Sequence, residues 1–142
     1  MTNLIKGLRV RLNDERESIT HHFSVTTRDG NKYDGYVTVG FYEDGTPGEV
    51  FFRMHKIGSQ IQGLLDIIAT SISIALQYGA PLDVFVNKFV HTRFEPEGIT
   101  ENPEIPYAKS LPDYIFQWLG QNFCGLASRC EITHSFLDTL DQ

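Results

Sequence analysis

Hydrophobic and polar residues alternate in three segments between residues 18 and 55, as in β-strands with one buried face. The turn sequences Asp29-Gly30 and Asp44-Gly45 separate these segments. The positions that share the predicted inner face are Ile19, His21, Phe23 and Val25, then Val37, Val39 and Phe41, then Val50, Phe52 and Met54. The pattern therefore predicts a three-stranded antiparallel meander with one apolar face that needs a cover.

The hydrophobic period changes from two to about 3.6 after Gly58, which predicts a long amphipathic helix over residues 59–78. Ser59 is the expected N-cap, and Gly79 is well placed to end the helix. The predicted inward stripe consists of Ile61, Leu64, Leu65, Ile68, Ile72, Ala75 and Leu76. This helix is the first candidate to cover the sheet.

Two shorter helices follow in the sequence. Pro81 suits the first turn of one, whose stripe is Leu82, Phe85, Val86 and Phe89. The segment "LPDYIFQWLGQNF" predicts the other, with Tyr114, Ile115, Trp118 and Leu119 inward. Strands followed by helices favour the α+β class. We expect an antiparallel three-stranded meander covered on one face by a long helix and two shorter helices.

A segment without periodicity, "HTRFEPEGITENPEIPYAKS", separates the two shorter helices at residues 91–110. Its prolines, Pro96, Pro103 and Pro106, exclude a helix or a central strand. Long loops inside compact domains are uncommon and are often functional. We therefore regard this loop as a candidate functional element.

Length and charge limit the function classes. The chain of 142 residues suits one domain, and its formal net charge of -6 disfavours nucleic acid or an anionic membrane as partner. No apolar run reaches the ~18 residues of a membrane span, since Asp66 interrupts the longest. Two cysteines and a charged first segment without a signal-peptide core predict a cytoplasmic protein with reduced thiols.

Candidate metal ligands and nucleophiles give weak signals. Cys124, Cys130 and His134 have C-x5-C-x3-H spacing, which differs from common zinc sites, so we expect no bound metal. His21 and His22 point to opposite faces of a strand, and one of them is expected to be a buried, hydrogen-bonded histidine. No G-x-S-x-G motif occurs. We predict no catalytic residue, and the carboxylates of Glu95 and Glu97 are expected to be solvated.

The start of the long helix offers a candidate anion site at Lys56, Gly58 and Ser59. Unpaired backbone N–H groups, the helix dipole and a lysine favour an anion there. The alternative is an ordinary N-cap beside a surface lysine, which a single glycine does not distinguish from a phosphate-binding loop.

Five segments together resemble a known family. They are "ERESITHHFSV", "GYVTVGFYEDGTPGEVFFRMHKIGS", "SIALQYGAPLDVFVNKF", "HTRFEPEGITENPEIPYAKS" and "DYIFQWL". In this order they resemble the C-terminal (TSCPD) domain of adenosylcobalamin-dependent (class II) ribonucleotide reductases, from about Arg11 to Leu119. The resemblance makes the loop a family element, centred on His91, Arg93, Phe94, Glu95 and Pro96. We expect Arg93 and Glu95 to tie the loop to the helices and Phe94 to fill the core.

The resemblance implies a single domain with a charged arm at residues 1–17, a family-matching core at 18–119 and a divergent segment at 120–142. The reductase barrel, its radical cysteine and its cobalamin site lie upstream of this domain in the family, and the C-x-x-C pairs of the family tail are absent here. The resemblance therefore implies a free-standing, non-catalytic accessory module linked to deoxyribonucleotide metabolism and DNA replication. A ribonucleotide reductase chain is then a possible partner, and adenosylcobalamin is expected only through it.

Two other functions remain open from the sequence. One is a small enzyme or binder that uses the histidines and the Glu95 loop on a nucleotide or phosphorylated ligand. The other is a homo-oligomeric interaction protein without a reductase role. Titration with nucleotides and mass measurement in solution separate these classes.

We also predict a homodimer from the open face and edges of the sheet. Tyr36, Tyr42 and Phe51 alternate with the inward set, so they are expected to form an exposed aromatic patch. Unpaired strand edges offer a second contact. The competing interpretation is that the N-terminal arm covers this face through Leu4, Ile5, Leu8 and Val10.

Overall fold

A computed structural model describes residues 7–124 of the chain. The strands are β1 (Ser18–Thr26), β2 (Lys32–Phe41), β3 (Pro47–Met54), β4 (Gly98–Thr100) and β5 (Tyr107–Ala108). The helices are α1 (Ser59–Gln77), α2 (Leu82–Phe89) and α3 (Leu111–Phe123). The α+β class and the three predicted helices are confirmed.

The sheet is antiparallel, with the strand order β3-β2-β1-β4-β5. The predicted meander of β1, β2 and β3 is present, but the prediction of three strands was wrong because the proline-rich loop adds two more. Val25 and Thr26 of β1 pair with Thr100 and Ile99 of β4. The added strands are only three and two residues long, so no alternation pattern announces them.

The inner face of the sheet is the predicted one except at Ile19, which is 47% exposed. Val37 pairs with Phe52 and Val39 with Val50, and these four side chains are buried. Helix α3 lies over this face: the Tyr114 ring stacks on Phe23 at 4.4 Å between centroids, and the Trp118 ring stacks on His21 at 4.5 Å. The centre of the core is therefore the contact between α3 and the sheet.

The long helix α1 does not cover the sheet face in the way the sequence suggested. It packs against the edge strand β3, and its polar side chains bind the backbone groups that β3 turns away from β2. Ser73 Oγ accepts from Val50 N at 2.9 Å, and Gln62 Oε1 accepts from Met54 N at 2.8 Å. Gln77 Nε2 donates to Gly48 O at 3.0 Å. Helix α1 thus closes this edge to strand pairing.

The predicted stripe of α1 was correct only in part. Leu65, Ile72 and Leu76 are buried, whereas Ile61, Leu64 and Ile68 are exposed, because the apolar arc is wider than the side in contact with β3. Gly58 rather than Ser59 occupies the N-cap position, since Ser59 is already helical. By length and composition alone α1 would suffice to cross a membrane, but one side of it belongs to the core just described.

The outer face of the sheet is not covered by the described part of the arm. Leu8 and Val10 are exposed, and Leu4 and Ile5 lie outside the described residues. The arm instead runs past the C-terminal end of α1 and along the edge of β3. Val10 N donates to Gln77 O, in the last residue of α1, at 2.9 Å. Tyr42 is not part of an aromatic patch, because its hydroxyl donates to Val10 O at 2.6 Å.

Candidate functional site

The loop between α2 and α3 is held closed at its base by a buried carboxylate. Asp113, which is fully buried, accepts hydrogen bonds from His91 N at 2.6 Å and from Lys109 N at 2.9 Å. Ser110 Oγ donates to Thr92 O at 2.6 Å, and Phe94 N donates to Lys109 O at 3.1 Å. These bonds close the loop into one unit with a fixed position on α3.

The start of α3 explains why Asp113 is available for this role. Ser110 is the N-cap, and its Oγ accepts from Asp113 N at 3.0 Å. Ser110 and Asp113 have the spacing of a capping box, in which the acidic side chain usually reaches back to the N-cap backbone. Here the carboxylate binds His91 and Lys109 instead. The spacing was visible in the sequence, although the partners of Asp113 were not.

A second connection joins the loop to β1 through α3. Tyr114 Oη lies 2.9 Å from His21 Nε2 and accepts a 3.1 Å bond from Asn102 Nδ2. Burial lowers the pKa of His21, with a smaller effect from the neighbouring His22. Burial also raises the pKa of Tyr114. The prediction of a buried, hydrogen-bonded histidine is met in part: His21 is hydrogen-bonded but half-buried, and exposed His22 also has a partner, Asp34.

The tip of the loop carries an ion pair of its own. Arg93 Nη1 lies 2.5 Å from Glu97 Oε2, and Tyr107 Oη donates to the same oxygen at 3.0 Å. The hydrogen bond to Glu97 raises the pKa of Tyr107. Three expectations were wrong. Arg93 binds within the loop rather than to a helix, and Glu95 is exposed without a bond to a helix. Phe94 is 50% exposed rather than in the core. The peptide bond between Glu95 and Pro96 is cis.

A cleft of about 1000 Å³ separates the loop from the β1–β2 turn. Its walls include Arg28 and Asp29 from the turn, and Glu95, Glu97 and Tyr107 from the loop unit. Gly98 is required here, because a Cβ atom at this position would collide with the backbone carbonyl of Thr26. The hydrogen bond from Thr27 lowers the pKa of Asp29, so this carboxylate is ionised at neutral pH.

The lining of this cleft is polar, and its charged residues are mainly acidic. None of its lining residues is a cysteine, serine or histidine. Its rim carries three carboxylates against one arginine, which disfavours phosphate groups. Glu95 is exposed as expected, but the expectation of a solvated Glu97 was wrong, because Arg93 and Tyr107 bind its carboxylate.

The predicted anion site at the start of α1 gains no further support. Lys56 and Gly58 have positive φ angles of 58° and 85°, and α1 begins without a side-chain cap. None of its three residues lines the cleft, and the anion site stays a prediction. Cys124 directly follows α3, whereas Cys130 and His134 lie outside the described residues. Residues 7–124 contain no group of three potential metal ligands.

These features define an α+β domain with a five-stranded antiparallel sheet, an edge-sealing helix and a clamped loop. The TSCPD domain family model matches residues 8–123, and the chain belongs to this family. No solved structure matches the chain.

Three relatives illustrate the relationship, and each is named vitamin B12-dependent ribonucleotide reductase. The Rhodopirellula baltica protein is 53% identical over 118 residues, which are 83% of this chain and 11% of that protein. The Streptantibioticus cattleyicolor protein is 40% identical over 87% of this chain and 20% of its own length. The Agrobacterium fabrum protein is 36% identical over 94% of this chain and 10% of its own length. The chain thus spans a tenth to a fifth of these relatives.

Proposed function

We propose that this domain is a non-catalytic accessory module of ribonucleotide reduction, which binds a reductase chain that supplies the catalytic centre. The observation that carries this proposal is the match to a tenth to a fifth of proteins named vitamin B12-dependent ribonucleotide reductase. Most of each relative, with room for a catalytic barrel, lies outside the matched segment.

The described residues support a binding role. Several polar side chains in and beside the loop make structural contacts: Asp113 of α3 holds the loop ends, and Arg93 and Tyr107 both bind Glu97. The one threonine hydroxyl of the cleft that binds a carboxylate is that of Thr27, which donates to Asp29. Both side chains also bind Asn31, so this pair holds the β1–β2 turn together. Under this proposal the domain acts in the cytoplasm, and adenosylcobalamin is bound by the partner chain.

A nucleotide or phosphorylated ligand is the weaker alternative. The carboxylates of Asp29, Glu95 and Glu97 surround the cleft, and their charge opposes that of a phosphate. Direct enzymatic use of His21 is also disfavoured, since its ring stacks on Trp118 and its Nε2 is bound to Tyr114.

The test compares the Rhodopirellula baltica reductase with a shortened form of it, from which the segment similar to this chain has been deleted. Deoxyribonucleotide formation is measured with adenosylcobalamin, with and without this chain. We expect no product from the chain alone and recovery of the activity that the shortened enzyme has lost. The Arg28→Ala variant of this chain is measured beside the wild-type chain, because this substitution changes the surface of the cleft and does not touch the core.

Two results would overturn the proposal. Steady deoxyribonucleotide formation by the chain alone would make it an enzyme. Failure of the chain both to bind the shortened reductase and to change its activity would remove the accessory role. Saturable binding of a nucleotide or of adenosylcobalamin by the chain alone, measured calorimetrically, would favour the alternative.

A further inference from the structure

Helix α1 carries apolar side chains on two sides: Leu65, Ile72 and Leu76 are buried in the core, and a second set faces solvent. Gln62, Ser73 and Gln77 bind the backbone of β3. The opposite side, which we call the outer face of α1, carries six large apolar residues that are 37–64% exposed: Ile61, Leu64, Ile67, Ile68, Ile74 and Tyr78. No residue between 7 and 124 buries this face.

The outer face is an apolar stripe interrupted once. Ile61, Leu64, Ile67 and Ile68 form its first part, Ile74 and Tyr78 form its second, and Ser71 lies in the gap between them. The stripe extends along the helix over a length of about 25 Å. Asp66 is the one charged residue of α1, and its carboxylate points to Gln62 on the other side. At ~200 Å² for each fully exposed large side chain, the stripe exposes on the order of 500 Å² of apolar surface. A patch of this size equals the largest apolar patch on a typical monomer, and such patches often mark contact surfaces.

We propose that the outer face of α1 is the contact surface of a homodimer, in which two α1 helices pack antiparallel across a two-fold axis. An isologous interface requires a surface that is complementary to itself. A stripe without charged residues meets this requirement, because two copies bury no unpaired charge against each other. The antiparallel arrangement also places the positive, N-terminal end of each helix dipole near the negative, C-terminal end of the other.

The middle of the stripe suits close packing of two helices. Ser71 and Ala75 are small and lie between the larger Ile67, Ile68 and Ile74, so the two backbones can approach closely. Ser71 Oγ already donates to Ile67 O at 2.7 Å, so its burial leaves no donor unsatisfied. The stripe supplies more than half of the ~800 Å² per partner that a standard interface buries.

The other candidate surfaces for a homodimer are less suitable. Tyr36 on the outer sheet face lies beside charged Arg53, its register partner, and close to the bonded pair of His22 and Asp34. Phe51 on that face is flanked by Thr38. The β3 edge is closed by α1, and the β5 edge is only two residues long. The α1 stripe therefore replaces the aromatic patch as the predicted dimer contact.

The test is the molar mass in solution of the wild-type chain and of two matched variants at micromolar concentration. Wild type is expected at twice its chain mass of 16.1 kDa. Ile67→Asp, at the most exposed stripe position, is expected to raise the dimer dissociation constant at least ~100-fold, because it places two carboxylates in an apolar contact. Phe51→Asp, on the sheet face, should remain a dimer. Circular dichroism checks that both variants fold.

Each remaining outcome overturns the proposal. If the wild-type chain is monomeric, the stripe is not a dimer contact. Co-flotation of that monomer with phosphatidylcholine vesicles would then identify the stripe as a membrane contact. If the Phe51→Asp variant is monomeric and the Ile67→Asp variant is dimeric, the dimer contact lies on the sheet face. The reductase assay is independent of these results, since the Ile67→Asp variant leaves the loop and the cleft unchanged.

Discussion

The carboxylate of Asp113 accepts a 2.6 Å hydrogen bond from the backbone nitrogen of His91, 22 residues earlier in the chain. The same carboxylate accepts a bond from Lys109 N at 2.9 Å. One buried side chain therefore holds both ends of the proline-rich loop. This explains how a segment with little regular structure keeps a defined position against the sheet, with the cleft beside it.

Asp113→Ala is expected to lower the free energy of unfolding by about 3 kcal/mol, because it removes the acceptor shared by His91 N, Lys109 N and the Gln117 amide. Urea denaturation measures the loss. Backbone amide exchange should also accelerate at His91 and Lys109 more than in β2.

Glu104→Ala is the control for this prediction. Its side chain is exposed in the same loop, and the described contacts of Glu104 are made by its backbone. A change within about 0.5 kcal/mol is expected. Equal losses for the two variants would show that Asp113 has no special role in the loop.

Leu65→Ala tests the inward side of α1. Leu65 is 4% exposed, so the substitution should cost about 2–5 kcal/mol through lost burial and a cavity. Leu64→Ala is the matched control, because Leu64 is 56% exposed and should cost less than about 0.5 kcal/mol. Both are measured by denaturant unfolding in the Ile67→Asp background, where dimer dissociation does not contribute. Similar losses at both positions would mean that the buried side of α1 is misplaced.

The contrast between Leu64 and Leu65 shows how far the sequence could predict this fold. Periodicity located α1 and the meander, because both signals are local. It did not show which part of a wide apolar arc is buried, since the inward positions Gln62, Ser73 and Gln77 are polar. Those residues face inward because the edge of β3 needs hydrogen-bond partners, and that need arises only once the sheet has formed.

The candidate site was predictable to a similar degree. The loop was recognisable from its prolines and its family resemblance, and Ser110 and Asp113 had the spacing of a capping box. The strands β4 and β5 were not predictable, because they are short and depend on pairing with distant β1. The roles expected for Arg93 and Phe94 failed for the same reason: their neighbours are set by how the loop closes.

Ser73→Ala should expose the dependence of β3 on α1. Ser73 Oγ accepts from Val50 N at 2.9 Å, and the alanine leaves this buried donor unpaired at a cost of about 1–3 kcal/mol. Amide exchange at Val50 should accelerate in parallel. Ser71→Ala is the control, since Ser71 Oγ contacts only Ile67 O of its own helix. Unchanged exchange at Val50 would contradict the edge-sealing role.

Acidification should destabilise the fold through His21. Burial holds the pKa of the folded His21 below its ordinary value, which is about 6.5 in the unfolded chain. The unfolded state therefore binds more protons in this range. The stabilisation is complete above about pH 6.5 and is lost as the pH falls from there toward the lower folded pKa.

His21→Gln measures this contribution directly, because glutamine does not titrate and keeps a polar group that can reach Tyr114. The free energy of unfolding is compared at about pH 7.5 and about pH 5.5 for both proteins. Wild type should lose more stability on acidification than His21→Gln, and the difference between the two losses is the contribution of the histidine. Loss of the stacking contact with Trp118 lowers the stability of the variant at both pH values, so it cancels from this difference. Equal losses in the two proteins would show that His21 does not set the acid sensitivity of the fold.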